Sequence, residues 1–123
     1  MKDSHSLSYN VYSHIIANSS FTKRQIDIIY KKLNNDDRPT NITPGAYYRQ
    51  IKQCKQKVRR LLYSLLLLRS LNVIDNQTLI VIERISEQLT VMFASNSSDI
   101  SPSFQSETVT YTIDELIKRM NTL

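Results

Sequence analysis

One apolar seam constrains this chain more than any other feature. Tyr47, Ile51, Cys54, Val58, Leu61, Leu65 and Leu68 recur at spacings of 4, 3, 4, 3, 4 and 3. That repeat keeps a single stripe of a helix turned toward a partner. A strand, whose side chains alternate at every second residue, cannot hold such a stripe on one face. The spacing predicts one long helix over 44–71 and an all-α fold around it. Composition agrees, because a single Gly and three Pro in 123 residues supply little of the punctuation an all-β chain needs. At this length the chain buries one modest core, to which a second copy would add.

The helix starts carry local signals. A helix opens well on Ser, Thr or Asp, with an apolar residue before the cap packing on the fourth helical position. Phe21-Thr22 followed by Gln25 and Ile26 supplies cap, capping-box partner and staple together. Ile42-Thr43-Pro44 followed by Tyr47 adds a proline at the first helical position, where its missing N–H costs nothing. Ile74-Asp75 before Leu79, Tyr111-Thr112 before Glu115 and Leu116, and Leu7-Ser8 before Tyr12 extend the pattern. Five helices are predicted, at 9–17, 23–33, 44–71, 76–94 and 113–121. The Ser-rich stretch between the last two reads as a linker, giving a helical domain over 1–94, a linker over 95–111 and a C-terminal helix over 112–123. Within it, VTYTI offers a short strand as an alternative.

Charge is strongly localised. From Arg38 to Ile74 there is no Asp or Glu, yet this run holds eight of the sixteen Lys and Arg residues. The formal net charge of +5 is therefore the resultant of +1 before the run, +8 within it and −4 after it. Opposite the seam, at about 100° per residue, fall Gly45, Arg49, Lys52, Gln53, Gln56, Arg59 and Arg60, with Lys55 and Lys57 beside them. Concentrated positive charge attracts a polyanion. Arg and Gln can read guanine and adenine edges, Lys gives sequence-blind phosphate contact, and Gly45 permits close backbone approach. Tyr48, at the margin, can hydrogen-bond a phosphate. The competing reading is a solvated face or an acidic protein partner; an ordinary solvated face, however, mixes signs to gain four-residue ion pairs.

The segments FTKRQIDIIYKKL and ITPGAYYRQIKQCKQKVRRLLYSLLLL together resemble a helix-turn-helix DNA-binding unit over 21–72, in the style of the terminal DNA-binding region of sigma factors and of small archaeal or phage regulators. The match is one of pattern. A tight turn of three or four residues joins the helices in that family, whereas Asn34 to Ile42 is longer. The resemblance implies that residues 44–60 enter the major groove, with Lys23, Arg24 and Arg38 near phosphates. The order of a basic stretch, an apolar helix, a break and a further helix is also similar to basic helix-loop-helix dimers, but their basic regions need no apolar seam. Here the seam calls for packing, expected against Ile26, Ile29, Tyr30 and Leu33.

Apolar residues are more numerous than one neighbour can cover. Leu61 to Leu68 is apolar almost all round, and the fourth helix adds Ile80 and Val81 to its stripe. A homodimer through Leu62, Leu65, Leu66, Ile82, Ile85, Leu89 and Met92 is expected; the alternative is cover by the first and last helices of the same chain. Bracketed by Arg59, Arg60 and Arg69, the leucine run is too short for a membrane span. The N-terminus lacks an apolar signal region, and the lone Cys54 suits a reducing compartment. A cytoplasmic, nucleoid-associated protein is expected.

Catalysis finds little support. No CxxC, HExxH or Gly-rich phosphate loop occurs. His5 and His14 do not share a helical face, Asp36-Asp37 reads as a solvent-facing loop, and Cys54 sits on the seam as a small hydrophobe that neighbouring lysines could sensitise. No enzyme activity, metal, cofactor or small-molecule substrate is expected. The reading is a small double-stranded-DNA-binding regulator, sequence-specific or nucleoid-type, with an RNA-binding or protein-interaction adaptor as its rivals.

Overall fold

The structure, a computed structural model, describes residues 11–35, 38, 41–95 and 102–123, and their side chains except at 92–95 and 102–106. The described residues form five helices and no strand: α1 over residues 11–17, α2 Lys23–Leu33, α3 Pro44–Ser70, α4 Asn76–Ser95 and α5 Pro102–Met120. The cap signals placed three of them closely. Thr22 and Gln25 form the expected capping box at α2, with the Thr22 hydroxyl accepting from the Gln25 N–H and the Gln25 carbonyl oxygen accepting from the Thr22 N–H, both at 3.1 Å. Thr43 Oγ1 accepts from the Ala46 N–H at 3.2 Å ahead of α3. Asp75 Oδ1 accepts from the Thr78 N–H at 2.8 Å ahead of α4. That last bond holds the Asp75 carboxyl below its ordinary value.

Two helices end on asparagine where glycine is the usual choice. Asn35 (φ 56°) and Asn72 (φ 64°) both adopt the left-handed conformation. After α3, the Val73 N–H bonds the Leu68 carbonyl at 2.9 Å and the Asn72 N–H bonds that of Arg69 at 3.0 Å, which satisfies carbonyls the helix leaves over. Arg69 braces the following turn, donating to the Ile74 carbonyl at 3.0 Å and to Asn76 Oδ1 at 2.8 Å.

The chain divides into two compact units, Ile15–Ser64 and Met1–His14 with Leu65–Leu123. In the first, Ile28, Ile42 and Tyr47 form the core, with Ala46 and Ile51 packed against it. Cys54 and Gln25 are buried as well. The expected packing partners on α2 are corrected here. Ile26 and Ile29 are only half-buried, Tyr30 and Leu33 are exposed, and the buried positions are Gln25 and Ile28. Gln25 explains the shift in face. Its carbonyl oxygen also accepts from Lys57 Nζ at 2.7 Å, and its amide donates to Gln50 Oε1 at 3.4 Å. A capping residue thus doubles as a buried polar link between α2 and α3.

In the second unit, Val11 is the only fully buried residue among those described. His14 Nε2 lies 2.8 Å from Asp114 Oδ1, joining α1 to α5. The 95–111 linker is also corrected. Helix α5 begins at Pro102, so Thr112 lies inside a helix and caps nothing, and VTYTI is helical. Proline is well placed at a first helical position, and Val109, Ile113, Leu116 and Met120 keep a helical period across the supposed cap. Residues 96–101, like the N-terminal start expected near Ser8, lie outside the described residues.

Candidate nucleic-acid interface

Gln25 also turns one cation of α3 inward. Lys57 is drawn in by Gln25 and by the Ser20 carbonyl, and its ammonium lies 5.5 Å from the centre of the Phe21 ring. Every other candidate on the helix is exposed: Gly45, Tyr48, Arg49, Lys52, Gln53, Lys55, Gln56, Arg59 and Arg60. Lys23, Arg24 and Arg38 are exposed too, with Arg38 Nε donating to the Ile42 carbonyl at 3.3 Å. Among the described residues, no Lys or Arg of α3 lies within ion-pair distance of a carboxylate.

These side chains share one side of α3. Taking about 100° per residue, Gly45, Tyr48, Arg49, Lys52, Gln53, Gln56, Arg59 and Arg60 fall within roughly 140° of arc, with Lys55 at its edge. From Gly45 to Arg60 the face runs about 22 Å at 1.5 Å per residue. Around Gly45 the surface is open, with no atom within 4 Å of where a Cβ would stand. One residue of this face was missed from sequence. Tyr63 is 60% exposed, and the Arg59 guanidinium lies 5.8 Å from its ring centre, beside a depression lined by Gln56, Arg59 and Arg60. It holds the same angular position as Gly45, five turns further on; reading 61–68 as apolar almost all round left it unremarked.

The seam beneath this face is buried only in part. Tyr47 and Cys54 are buried, Ile51 is half-buried, Val58 and Leu61 are exposed, and Leu65 and Leu68 are half-buried. Cys54 is not sensitised to oxidation in the way its lysine neighbours suggested. Burial raises its thiol pKa and Lys57 only partly opposes that. The thiol lies 3.9 Å from the Gln25 carbonyl.

Of the expected interface residues, Leu62, Leu66 and Ile82 are exposed, Leu65, Ile85 and Leu89 are half-buried, and the side chain of Met92 lies outside the described residues. Leu67, Leu71, Val91, Tyr111 and Ile117, all in the unit that includes Leu65–Leu123, are each exposed to at least half of their surface. Among the described residues no cluster of three His, Cys, Asp or Glu could hold a metal ion, and no helix is long and apolar enough to cross a membrane. His5, Asp36 and Asp37 lie outside the described residues.

Comparison with known proteins found no matching family model, no similar curated protein and no similar solved structure.

Proposed function

We propose that the outward face of α3 binds double-stranded DNA, with two copies of the chain acting together as a regulator or nucleoid-type protein in the cytoplasm. One observation carries this reading: six Lys and Arg side chains of the acid-free run (Arg38, Arg49, Lys52, Lys55, Arg59 and Arg60) are exposed. Among the described residues the five on α3 have no carboxylate within ion-pair distance. A helix is the right width for the major groove, and Gln53 and Gln56 between the cations add the amides that can read adenine. Lys23, Arg24 and Arg38 would contact phosphates, which orient the protein without selecting sequence. The exposed apolar residues of Leu65–Leu123 support the homodimer, since a lone chain leaves them in water. A dimer would present two basic helices and favour a two-fold-related site.

A second reading draws on Tyr48 and Tyr63, exposed aromatics on the basic face. Stacking on such rings is how unpaired bases of RNA or single-stranded DNA are held. Fluorescence anisotropy with a random duplex of about 30 base pairs separates the readings, run across a salt series beside the Arg49→Ala/Lys52→Ala/Arg59→Ala variant. Duplex binding is expected to weaken steeply with salt, with a log–log slope shallower by about 2–3 in the variant. Failure of the duplex to bind at low salt, while single strands bind and Tyr63→Ala loses them, would move the assignment to unpaired nucleic acid.

A further inference from the structure

A second surface of α3 lies roughly 150° around the helix from the basic face, on the side that meets α2. There the two helices leave an open groove of about 280 Å³. Ile28 and Cys54 form its floor, Leu33 and Val58 stand in its walls, and Lys32 and Lys55 edge it from opposite helices. The wall residues stay in water: Leu33 is 78% exposed and Val58 is 42% exposed. Apolar groups lining a groove in this way invite cover. On α3 the lining extends from Ile51 to Val58, about 10 Å or two helical turns, which suits side chains presented at i, i+3 or i+4, and i+7 by a docked helix.

Charge selects the occupant. Residues 15–64 hold eleven Lys and Arg against Asp27, Asp36 and Asp37, so the unit repels a basic helix and draws an acidic one. Lys32 and Lys55 place that preference on both edges of the groove itself. We propose that the α2–α3 groove docks an amphipathic helix of a partner protein, its apolar ridge on the Ile28–Cys54 floor and its acidic flanks against Lys32 and Lys55. It shares only Lys55 with the basic face and otherwise rests on another side of α3, so the two can be tested apart.

The test uses the full chain and two labelled synthetic 18-residue helices with the same leucine ridge, one flanked by Glu and the other by Lys. Anisotropy should show the Glu-flanked helix binding at least tenfold more tightly. Lys32→Glu with Lys55→Glu should reverse that order, and Leu33→Asp with Val58→Asp should abolish binding of both. All four positions are exposed, and a native circular-dichroism melt confirms that each variant is folded. The Arg49→Ala/Lys52→Ala/Arg59→Ala variant should keep its peptide affinity; losing it would place the peptide on the basic face and overturn the proposal. Equal affinity for both helices, or none for either, would overturn it as well. So would a dimer that Leu33→Asp/Val58→Asp dissociates, which gives the groove to a second copy, or competition by oleate equal to that of the peptide, which gives it to a lipid.

Discussion

The unit over Ile15–Ser64 and the unit that includes Leu65–Leu123 are built from similar helices, yet they solve the problem of water differently. The first draws Ile28, Ile42, Tyr47 and Cys54 out of solvent and ties α2 to α3 through Gln25. The second, with a longer stretch of helix, buries only Val11 completely among the described residues. Apolar content alone does not make a core. What differs is whether the apolar stripes of a unit face one another, and in the second many of them face outward, as Leu66, Leu67, Leu71 and Val91 do. A unit of that kind gains most from a second copy.

The largest effect that would sharpen this contrast is a core truncation. Ile28→Ala removes a side chain that is 1% exposed and should cost about 2–4 kcal/mol in urea unfolding. Ile82→Ala, at a position 40% exposed, should cost well under about 1 kcal/mol at concentrations where the chain is monomeric. Equal losses would erase the distinction between the two units. Next comes association. Leu62→Asp with Leu66→Asp should weaken self-association about a hundredfold, near 3 kcal/mol, as read by sedimentation equilibrium, while leaving the helical circular-dichroism signal intact. A wild-type chain that stays at 14.3 kDa at every concentration would break that side of the comparison.

Sequence disclosed the local part of this architecture and missed the part set by long-range pairing. Thr22, Pro44 and Asp75 opened helices as their chemistry required, because a cap is a contract among residues three or four apart. Thr112 carried an equally good signal and capped nothing, since a helix already running from Pro102 leaves no free N–H there to satisfy. The buried side of α2 was misjudged because Gln25 is held by Lys57 and Gln50, from another helix. The basic face was legible for a simple reason: long charged side chains with no acid nearby stay in water, and these are exposed. Lys57 was the exception, and no spacing rule marks it. The left-handed ends were not foreseen because only helix starts were read; there Asn35 and Asn72 adopt the conformation usually given to glycine.

Two smaller effects probe the ends of single helices. The Asp75 carboxyl has its folded pKa lowered from 3.8, first by the Thr78 backbone hydrogen bond. A depressed carboxyl contributes stability that is fully present above its unfolded pKa and lost as pH falls through the folded value. The stability gap between wild type and Asp75→Ala should therefore be constant at neutral pH and close below pH 3.8, as chemical denaturation across that range would read. A gap unchanged in acid would remove the charge from the cap's role. Smallest of all, Gly45→Ala meets nothing within 4 Å and should stabilise the chain by a few tenths of a kcal/mol, up to about 1 kcal/mol. If nucleic acid approaches the backbone there, the same variant binds the duplex several-fold more weakly; tighter or unchanged binding would separate Gly45 from the interface.

The inward turn of Lys57 and the bracing role of Arg69 have a consequence for counting. Of the eight cations in the run from Arg38 to Ile74, Arg38 makes a single bond to its own chain, through Nε and not its terminal nitrogens, whereas these two are each engaged twice with carbonyl and amide oxygens of their own chain. They still contribute to the field that speeds encounter with a polyanion, but they are poorly placed to displace condensed sodium from its phosphates. The thermodynamic valency of the run is then nearer six than eight, and a duplex titration that engages it fully should give a salt exponent of about −5 rather than about −7. For a polyanion partner, formal charge would govern how fast the chain finds it. Side chains left unoccupied by their own fold govern how many ions are released when it arrives.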